Sequence, residues 1–248
     1  MKSPHISVVI PAYNERYFLS HCLDALSRQT VMPDVVYVVD NNSTDGTADI
    51  ARKYSFVQLL QEPIQGICAA TKTGLDTASA HDGIILRCDA DCRPEADWVE
   101  RILGVFGHDP AVDAATGPGR AYDCPRLLRQ IIDVVYMKPY FFFTGLALGR
   151  PPLFGSNFAI RSDAWRKISN STHLRTHQNI HDDIDISYHL VAQGHIVYDG
   201  TIVMPISARP FKSFRGMINR FVVGFRSIFI HWPEQAPWQK HLVKQRRD

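Results

Sequence analysis

The first half of the chain alternates short apolar runs with stretches whose apolar residues recur every three or four positions. Ile6 to Ile10 predicts a strand, and Glu15 to Arg28 a helix with Phe18, Leu19, Cys22, Leu23 and Leu26 on one face. Val35 to Val39 predicts a second strand ending at Asp40. Ser43-Thr44-Asp45-Gly46 then offers turn and cap chemistry for a helix to about Lys53. Phe56 to Leu60, Gly83 to Leu86 and Val112 to Thr116 predict three further strands, with helices near Ile67 to Ser79 and Glu95 to Phe106 between them. Strands apolar throughout, separated by helices, predict an α/β fold: a Rossmann-like, mainly parallel sheet with helices on both faces.

The second half is less regular. Arg126 to Leu148 is a largely apolar helical stretch leading into Pro151-Pro152. A strand around Phe158 to Ile160, a helix from Ser162, an acidic helix start at His181-Asp182-Asp183 and a short β segment at Ile196 to Tyr198 follow. No repeat, low-complexity tract or linker interrupts the chain. No run reaches the ~18–20 uninterrupted apolar residues that a spanning helix needs. The closest approach, Pro139 to Gly149, is eleven uncharged residues, a length more usual in buried or interfacial segments.

Composition is that of an ordinary globular protein of 248 residues and 28.1 kDa, which excludes disordered and fibrous classes. Five scattered cysteines and no secretory leader at the start predict a reducing, cytoplasmic setting. The net charge of +2 conceals a division. From Arg209 onward nine basic side chains face only Glu234 and Asp248, so this tail carries +7 and residues 1–208 carry −5.

Candidate chemistry gathers at the predicted strand ends, where open parallel sheets bind ligands. Tyr13, Asn14 and Glu15 follow the first strand, Asp40, Asn41 and Asn42 the second, and Asp89-Ala90-Asp91 the fourth. Two carboxylates two residues apart in a turn suit one hard divalent cation, Mg²⁺ or Mn²⁺. Such acids are also common as solvated loop residues. Neither GxGxxG after the first strand nor GxxxxGK[ST] occurs, which weighs against dinucleotide and P-loop binding. Histidine and cysteine spacing predicts no zinc site. His181 and His231 are the two histidines to watch as metal or phosphate contacts.

Taken in order, Val8-Val9-Ile10-Pro11-Ala12-Tyr13-Asn14-Glu15, Val38-Val39-Asp40-Asn41-Asn42-Ser43-Thr44-Asp45-Gly46-Thr47 and Cys88-Asp89-Ala90-Asp91 closely resemble the family 2 glycosyltransferases of the GT-A fold. The resemblance continues through Gly155-Ser156-Asn157-Phe158-Ala159-Ile160-Arg161 and Asp182-Asp183-Ile184-Asp185-Ile186, covering about residues 5 to 209. It implies a GT-A domain over 1–208, with 209–248 as a basic aromatic helical tail of the same domain. It implies inverting transfer from a UDP-, GDP- or dTDP-sugar to a glycan or lipid-linked acceptor in cell-envelope synthesis.

On that pattern Pro11, Ala12, Tyr13 and Glu15 line the nucleoside pocket and Asp40 meets base or ribose. Asp89 and Ala90 lie at the ribose or sugar, and Asp91, with Asp89, holds the metal at the diphosphate. Gly155, Ser156 and Asn157 form a loop near donor sugar and acceptor. Asp183 is the implied catalytic base and Asp182 its alternative, though both also suit the N-terminal dipole of a helix. One position departs: Thr71 stands where relatives carry arginine, with Lys72 beside it as a substitute charge.

The tail sets Phe211, Phe214, Phe221, Phe225, Phe229 and Trp232 among Lys212, Arg215, Arg220 and Arg226, with Met217, Phe221 and Phe225 at helical spacing. Such a helix suits an anionic membrane surface, placing the protein peripherally at the inner face of the cell membrane. It equally suits packing on the domain with the basic face in solvent or over the pyrophosphate. Nucleic acid is excluded as a partner by the acidic first part and the lack of a binding module. A sugar-nucleotide pyrophosphorylase, or a nucleotide-sugar-binding relative without turnover, are the rival readings.

Overall fold

The computed structural model describes residues 4–177, 179–211 and 213–231. Seven strands form one sheet: β1 (His5–Ala12), β2 (Val35–Asp40), β3 (Val57–Gln61), β4 (Gly83–Arg87), β5 (Ala114–Thr116), β7 (Phe158–Arg161) and β8 (Ile196–Tyr198), in the order β3-β2-β1-β4-β7-β5-β8. The pairs β2–β3, β1–β2, β1–β4 and β5–β8 are parallel. Only β7 runs against its neighbours β4 and β5.

Alternation along β1 divides the core. Val8 and Ile10 face Leu19, Cys22, Leu23 and Leu26 of α1 (Arg16–Leu26), together with Trp98, Val99, Ile102 and Phe106 of α4 (Trp98–His108). Val9 faces the other way, onto Cys68, Ala70, Leu75 and Ala78 of α3 (Ile67–Ala78) and onto α7 (Ser162–Ile168). Strands buried on both faces have no polar side, which is why they read as unbroken apolar runs. At Gly74 an added Cβ would lie 2.3 Å from Val9 Cγ1, so α3 reaches the sheet only because that position is glycine.

After β3 the chain crosses to the far side of β1 before adding β4. The carboxyl ends of β1 and β4 therefore flank a topological switch point, where α/β sheets open a crevice. Beyond it, β6 (Gly119–Ala121) and β9 (Met204–Ile206) form a separate parallel pair that the hydrophobic pattern does not signal.

The helical stretch after β6 is longer than its uncharged run. α5 (Arg126–Ile132) and α6 (Gly145–Leu148) are the ends of one 23-residue helix, Arg126–Leu148. Its middle holds two π-helical turns, Asp133–Met137 and Tyr140–Thr144, flanking Pro139, which has no N–H to give an ordinary helical bond. By length and composition this helix is long and apolar enough to cross a bilayer, although Arg126, Arg129, Asp133 and Lys138 keep it from being an uninterrupted apolar run. Here it lies along the domain, burying Ile132, Tyr136, Met137, Thr144 and Leu148 and exposing Leu127, Val134, Phe142, Phe143 and Leu146.

α8 (Asp182–Val191) packs on α3, α6 and α7 and against α9 (Phe214–Phe229). Phe221, Phe225 and Phe229 of α9 are exposed. Of the residues assigned to the tail, Lys212, Trp232, Glu234, Lys240, Lys244, Arg246, Arg247 and Asp248 lie outside the described residues, as do the side chains of Phe214, Arg215 and Met217.

Candidate active site

The loops after β1 and β2 brace each other through local polar chemistry. Asn14 and Asn42 both hold positive φ, 53° and 64°, which asparagine tolerates better than most residues. Ser43 Oγ accepts from the Asn14 N–H, and Asn14 Oδ1 accepts from the Thr44 N–H. Asp45 takes the N–H of Arg16 on one oxygen and of Thr47 on the other, so one side chain caps the starts of α1 and of α2 (Thr47–Ala51). That bracing leaves Tyr13 half exposed at the mouth of a cleft of about 590 Å³. Asn41 lines the cleft too, holding the Gly66 N–H with its carbonyl oxygen and donating to the Glu62 and Ile64 carbonyls.

Across the crevice the end of β4 carries a chain of opposite charges. Arg87 is fully buried, with Nη1 2.8 Å from Asp89 Oδ1 and Nη2 3.0 Å from Asp182 Oδ2. Ser156 donates to the other Asp89 oxygen at 2.5 Å. Asp91 meets Arg209, whose Nη2 lies 2.8 Å from both Asp91 Oδ2 and Glu15 Oε1 while the guanidinium stacks over Phe18. Burial and the neighbouring Asp89 push the Asp91 carboxyl up to about 6, against the lowering effect of Arg209.

Asp89, Asp91 and Cys92 bring ligand atoms within 4.8 Å of one another. The Cys92 thiol is buried, donates to the Ser156 carbonyl and is raised well above its usual range by burial, which leaves the carboxylates as the usable donors. Oxygen donors suit a hard divalent cation. Glu15 Oε2 is buried beside them with no hydrogen-bond partner, an acceptor that a cation or a donor hydroxyl would satisfy. The residues present therefore fit a divalent metal.

Asp182 and Asp183 open α8, where first-turn carboxylates also complement the helix dipole. Both are buried, and neither lines the cleft. Asp182 is committed to Arg87 and to the Thr71 hydroxyl at 2.7 Å. Asp183 Oδ2 takes the Gly155 N–H at 2.7 Å and lies 3.0 Å from the Tyr140 hydroxyl. That hydroxyl also sits 2.6 Å from the Leu153 carbonyl, which can only accept. Tyr140 has one proton to give, shared between the Leu153 carbonyl and the Asp183 carboxylate. Burial raises the Asp183 carboxyl, with Asp182 adding to it and His181 opposing. An added Cβ on Gly155 would come within 3.1 Å of that carboxylate, so the close approach depends on glycine.

Residues 7–168, about two thirds of the chain, match the family described as Glycosyl transferase family 2. The chain belongs to glycosyl transferase family 2. It is 40% identical over 105 residues to the glycosyltransferase AglE of Haloferax volcanii, covering 40% of this chain and 34% of that protein. It is 31% identical over 143 residues to a PGL/p-HBAD biosynthesis glycosyltransferase of Mycobacterium bovis, covering 52% and 56% respectively. The chain thus spans between a third and just over half the length of these relatives. Its fold is that of GT-A glycosyltransferases. The mannosyltransferase PcManGT of Pyrobaculum calidifontis, solved with GDP-Man and Mn²⁺, superposes with a TM-score of 0.61 at 20% identity, over 90% of this chain and 64% of that one.

In this family 2 chain the cleft gathers Pro11, Ala12, Tyr13, Glu15, Asp89, Ala90, Asp91 and Ser156 from the residues expected of the sequence. Asp40 sits just beneath, its oxygens taken by the Ser43 N–H and the Gln61 amide, with Asn41 at the surface instead. Asn157 is fully buried, joining the Trp98 indole to the Ile202 carbonyl. Lys72 is not brought to the cleft. One residue beyond Thr71 on α3, it turns away and binds Asp76 and Ser169 over the Trp165 ring. The positive charge near Thr71 is Arg87 instead. Its signal was a lone arginine closing an apolar strand next to Cys88-Asp89. Sequence reasoning also missed Gln65, Gly66, Tyr136 and Phe211 as cleft residues, and it left the basic tail, with Arg209 and Arg220, open between solvent, membrane and the pyrophosphate; all six line the cleft. The tail's described charge thus turns partly inward, onto the acidic mouth.

Proposed function

We propose that the chain transfers a sugar from a nucleoside-diphosphate sugar to an acceptor hydroxyl with inversion. The observation that carries this reading is the juxtaposition of Asp89 and Asp91, at the end of β4, with the Pro11–Glu15 loop across one cleft in a family 2 chain. The nucleoside lies against Pro11, Tyr13 and Asn41, and Asp89 receives ribose or sugar hydroxyls opposite Ser156. Asp91 and Asp89 would hold Mg²⁺ or Mn²⁺, which when bound neutralises diphosphate charge and eases departure of the nucleotide. Arg209 is paired with Asp91, so entry of the donor releases its guanidinium to the diphosphate, beside Arg220. Asp183 removes the acceptor proton as the acceptor oxygen bonds the anomeric carbon and the bond to the diphosphate oxygen breaks. A single displacement inverts that carbon. Asp183 is a better base than Asp182 because Asp182 is already bound to Arg87 and Thr71.

Titration of UDP-, GDP- and dTDP-sugars with Mn²⁺ or Mg²⁺ tests the donor class. Asp91→Asn should weaken metal-assisted donor binding by ~10–100-fold in calorimetry, as disturbed metal sites do. Unchanged binding would remove Asp91 from the metal.

The acceptor reading is lipid-linked, at the cytoplasmic face of a membrane in envelope glycan or glycolipid assembly. Two observations support it. Both Arg126–Leu148 and α9 expose apolar and aromatic side chains. A hollow of about 860 Å³ beside Arg126–Leu148 is lined by Met137, Phe141, Phe142, Pro152 and Tyr198, with Arg120, Lys138 and Arg150, a surface suited to an acyl or prenyl phosphate. The full chain should float with phosphatidylglycerol vesicles, and Phe142→Ser with Phe143→Ser should abolish most of that recovery. Equal flotation of the variant, or none by the parent, would exclude Arg126–Leu148 as the contact.

A further inference from the structure

On the side of α8 away from the cleft, three imidazoles converge on one buried carboxylate. Asp185 is fully buried, His189 lies one turn later on the same helix, His173 comes from the loop before it, and His231 follows α9. From Asp185 Oδ1, His173 Nδ1 is 2.8 Å away, His231 Nε2 3.1 Å and His189 Nε2 3.6 Å. His189 Nε2 and His173 Nδ1 are 3.5 Å apart, and all four ligand atoms lie within 4.8 Å of one another. Ligands around tetrahedral zinc stand ~3.3 Å apart, given bonds of ~2.0–2.1 Å.

His231 points independently to a cation. Its Nδ1 lies 2.8 Å from the Ser227 carbonyl, which can only accept, so the proton is on Nδ1 and the Nε2 lone pair faces the cluster. Its side chain is 2% exposed and Nε2 has no hydrogen-bond partner, despite standing 3.1 Å from the carboxylate. A lone pair facing an anionic oxygen at that distance repels it, and a cation between them converts both into ligands. The supporting contacts are those of a metal site. The second Asp185 oxygen accepts the His173 backbone N–H at 2.9 Å, and Tyr188 stacks on the His231 ring at 4.2 Å and 7°.

We propose that His173, Asp185, His189 and His231 bind one zinc ion that joins α9 and the 173 loop to α8. Three imidazoles and a carboxylate match zinc, and four protein ligands leave no open position, the pattern of a structural rather than a catalytic site. The proposed site departs from the expectation from spacing. Only Asp185 and His189 are near in sequence, and the fold supplies the other two ligands from 12 residues before Asp185 and 42 after His189. Because α8 begins with Asp182-Asp183, the ion would also steady the element carrying the candidate base.

The test uses the full chain in an Asp91→Asn background, stripped of metal, so that the cleft does not contribute. Titration with Co²⁺ should give the visible absorption of a four-coordinate site, saturating at one equivalent and displaced by one equivalent of Zn²⁺. His231→Ala and the more exposed His173→Ala should each abolish it while circular dichroism shows the fold retained. Zn²⁺ should raise Tm in the parent and leave His173→Ala unmoved. Absence of the Co²⁺ absorption in the parent, its survival in His173→Ala, or an equal Tm rise in both would overturn the proposal.

Discussion

Asp183→Asn should bind the nucleotide-sugar donor almost as the parent does and lose ~10²–10⁴-fold in transfer rate, the scale of a missing general base. The substitution is isosteric, and an asparagine oxygen can keep the Gly155 N–H bond that fixes this carboxylate. Stability should not confound the result. The folded carboxyl is raised above its unfolded value, so its contribution is complete below about pH 4 and is lost as pH rises through the folded value. Asparagine suffers no such loss, and the variant should be at least as stable as the parent above neutrality. Donor calorimetry beside a transfer assay on a lipid extract separates the two effects. If Asp182→Asn lowers the rate and Asp183→Asn does not, the base is one residue earlier.

Arg87→Met should cost about 3–5 kcal/mol of folding stability, or roughly 10²–10⁴ in the folding equilibrium. The guanidinium is buried between Asp89 and Asp182, with Asp183 close by, and those charges hold it protonated against the desolvation that opposes it. Methionine fills similar space but leaves buried carboxylates without a counter-charge, which they must escape by protonating or by drawing in water. The exposed pair Arg52–Asp49 is the contrast, and its removal should scarcely register. Urea unfolding measures both. A loss under about 1 kcal/mol for Arg87→Met would mean that the carboxylates are already neutral in the resting protein.

The parallel core was legible because β1, β2 and β4 are buried on both faces, and such burial leaves unbroken apolar runs in the chain. Strand direction was not: Phe158–Arg161 has the same apolar character whichever way it runs, and only the fold reverses it. The pair β6–β9 joins segments over 80 residues apart, each three residues long, too short for periodicity to register. The cleft's acidic half was readable from strand-end motifs. Its basic half was not, since Arg209 and Arg220 belong to a tail whose charge pattern fits solvent and membrane as well as a cleft. Lys72 shows the limit of adjacency: one step along a helix turns a side chain ~100° away from its neighbour. The histidine cluster escaped because its spacing becomes compact only after α8 and α9 meet.

Arg209 is the first residue of the basic tail and the counter-ion of Asp91 and Glu15. Anything that takes Asp91 from Arg209 also removes a tether from the segment beginning there. Occupancy of the cleft and seating of the segment from Arg209 into α9 therefore share one equilibrium, and the coupling must be reciprocal. A surface that draws the tail outward would loosen Arg209 and change donor affinity by the same factor by which the donor changes attachment to that surface.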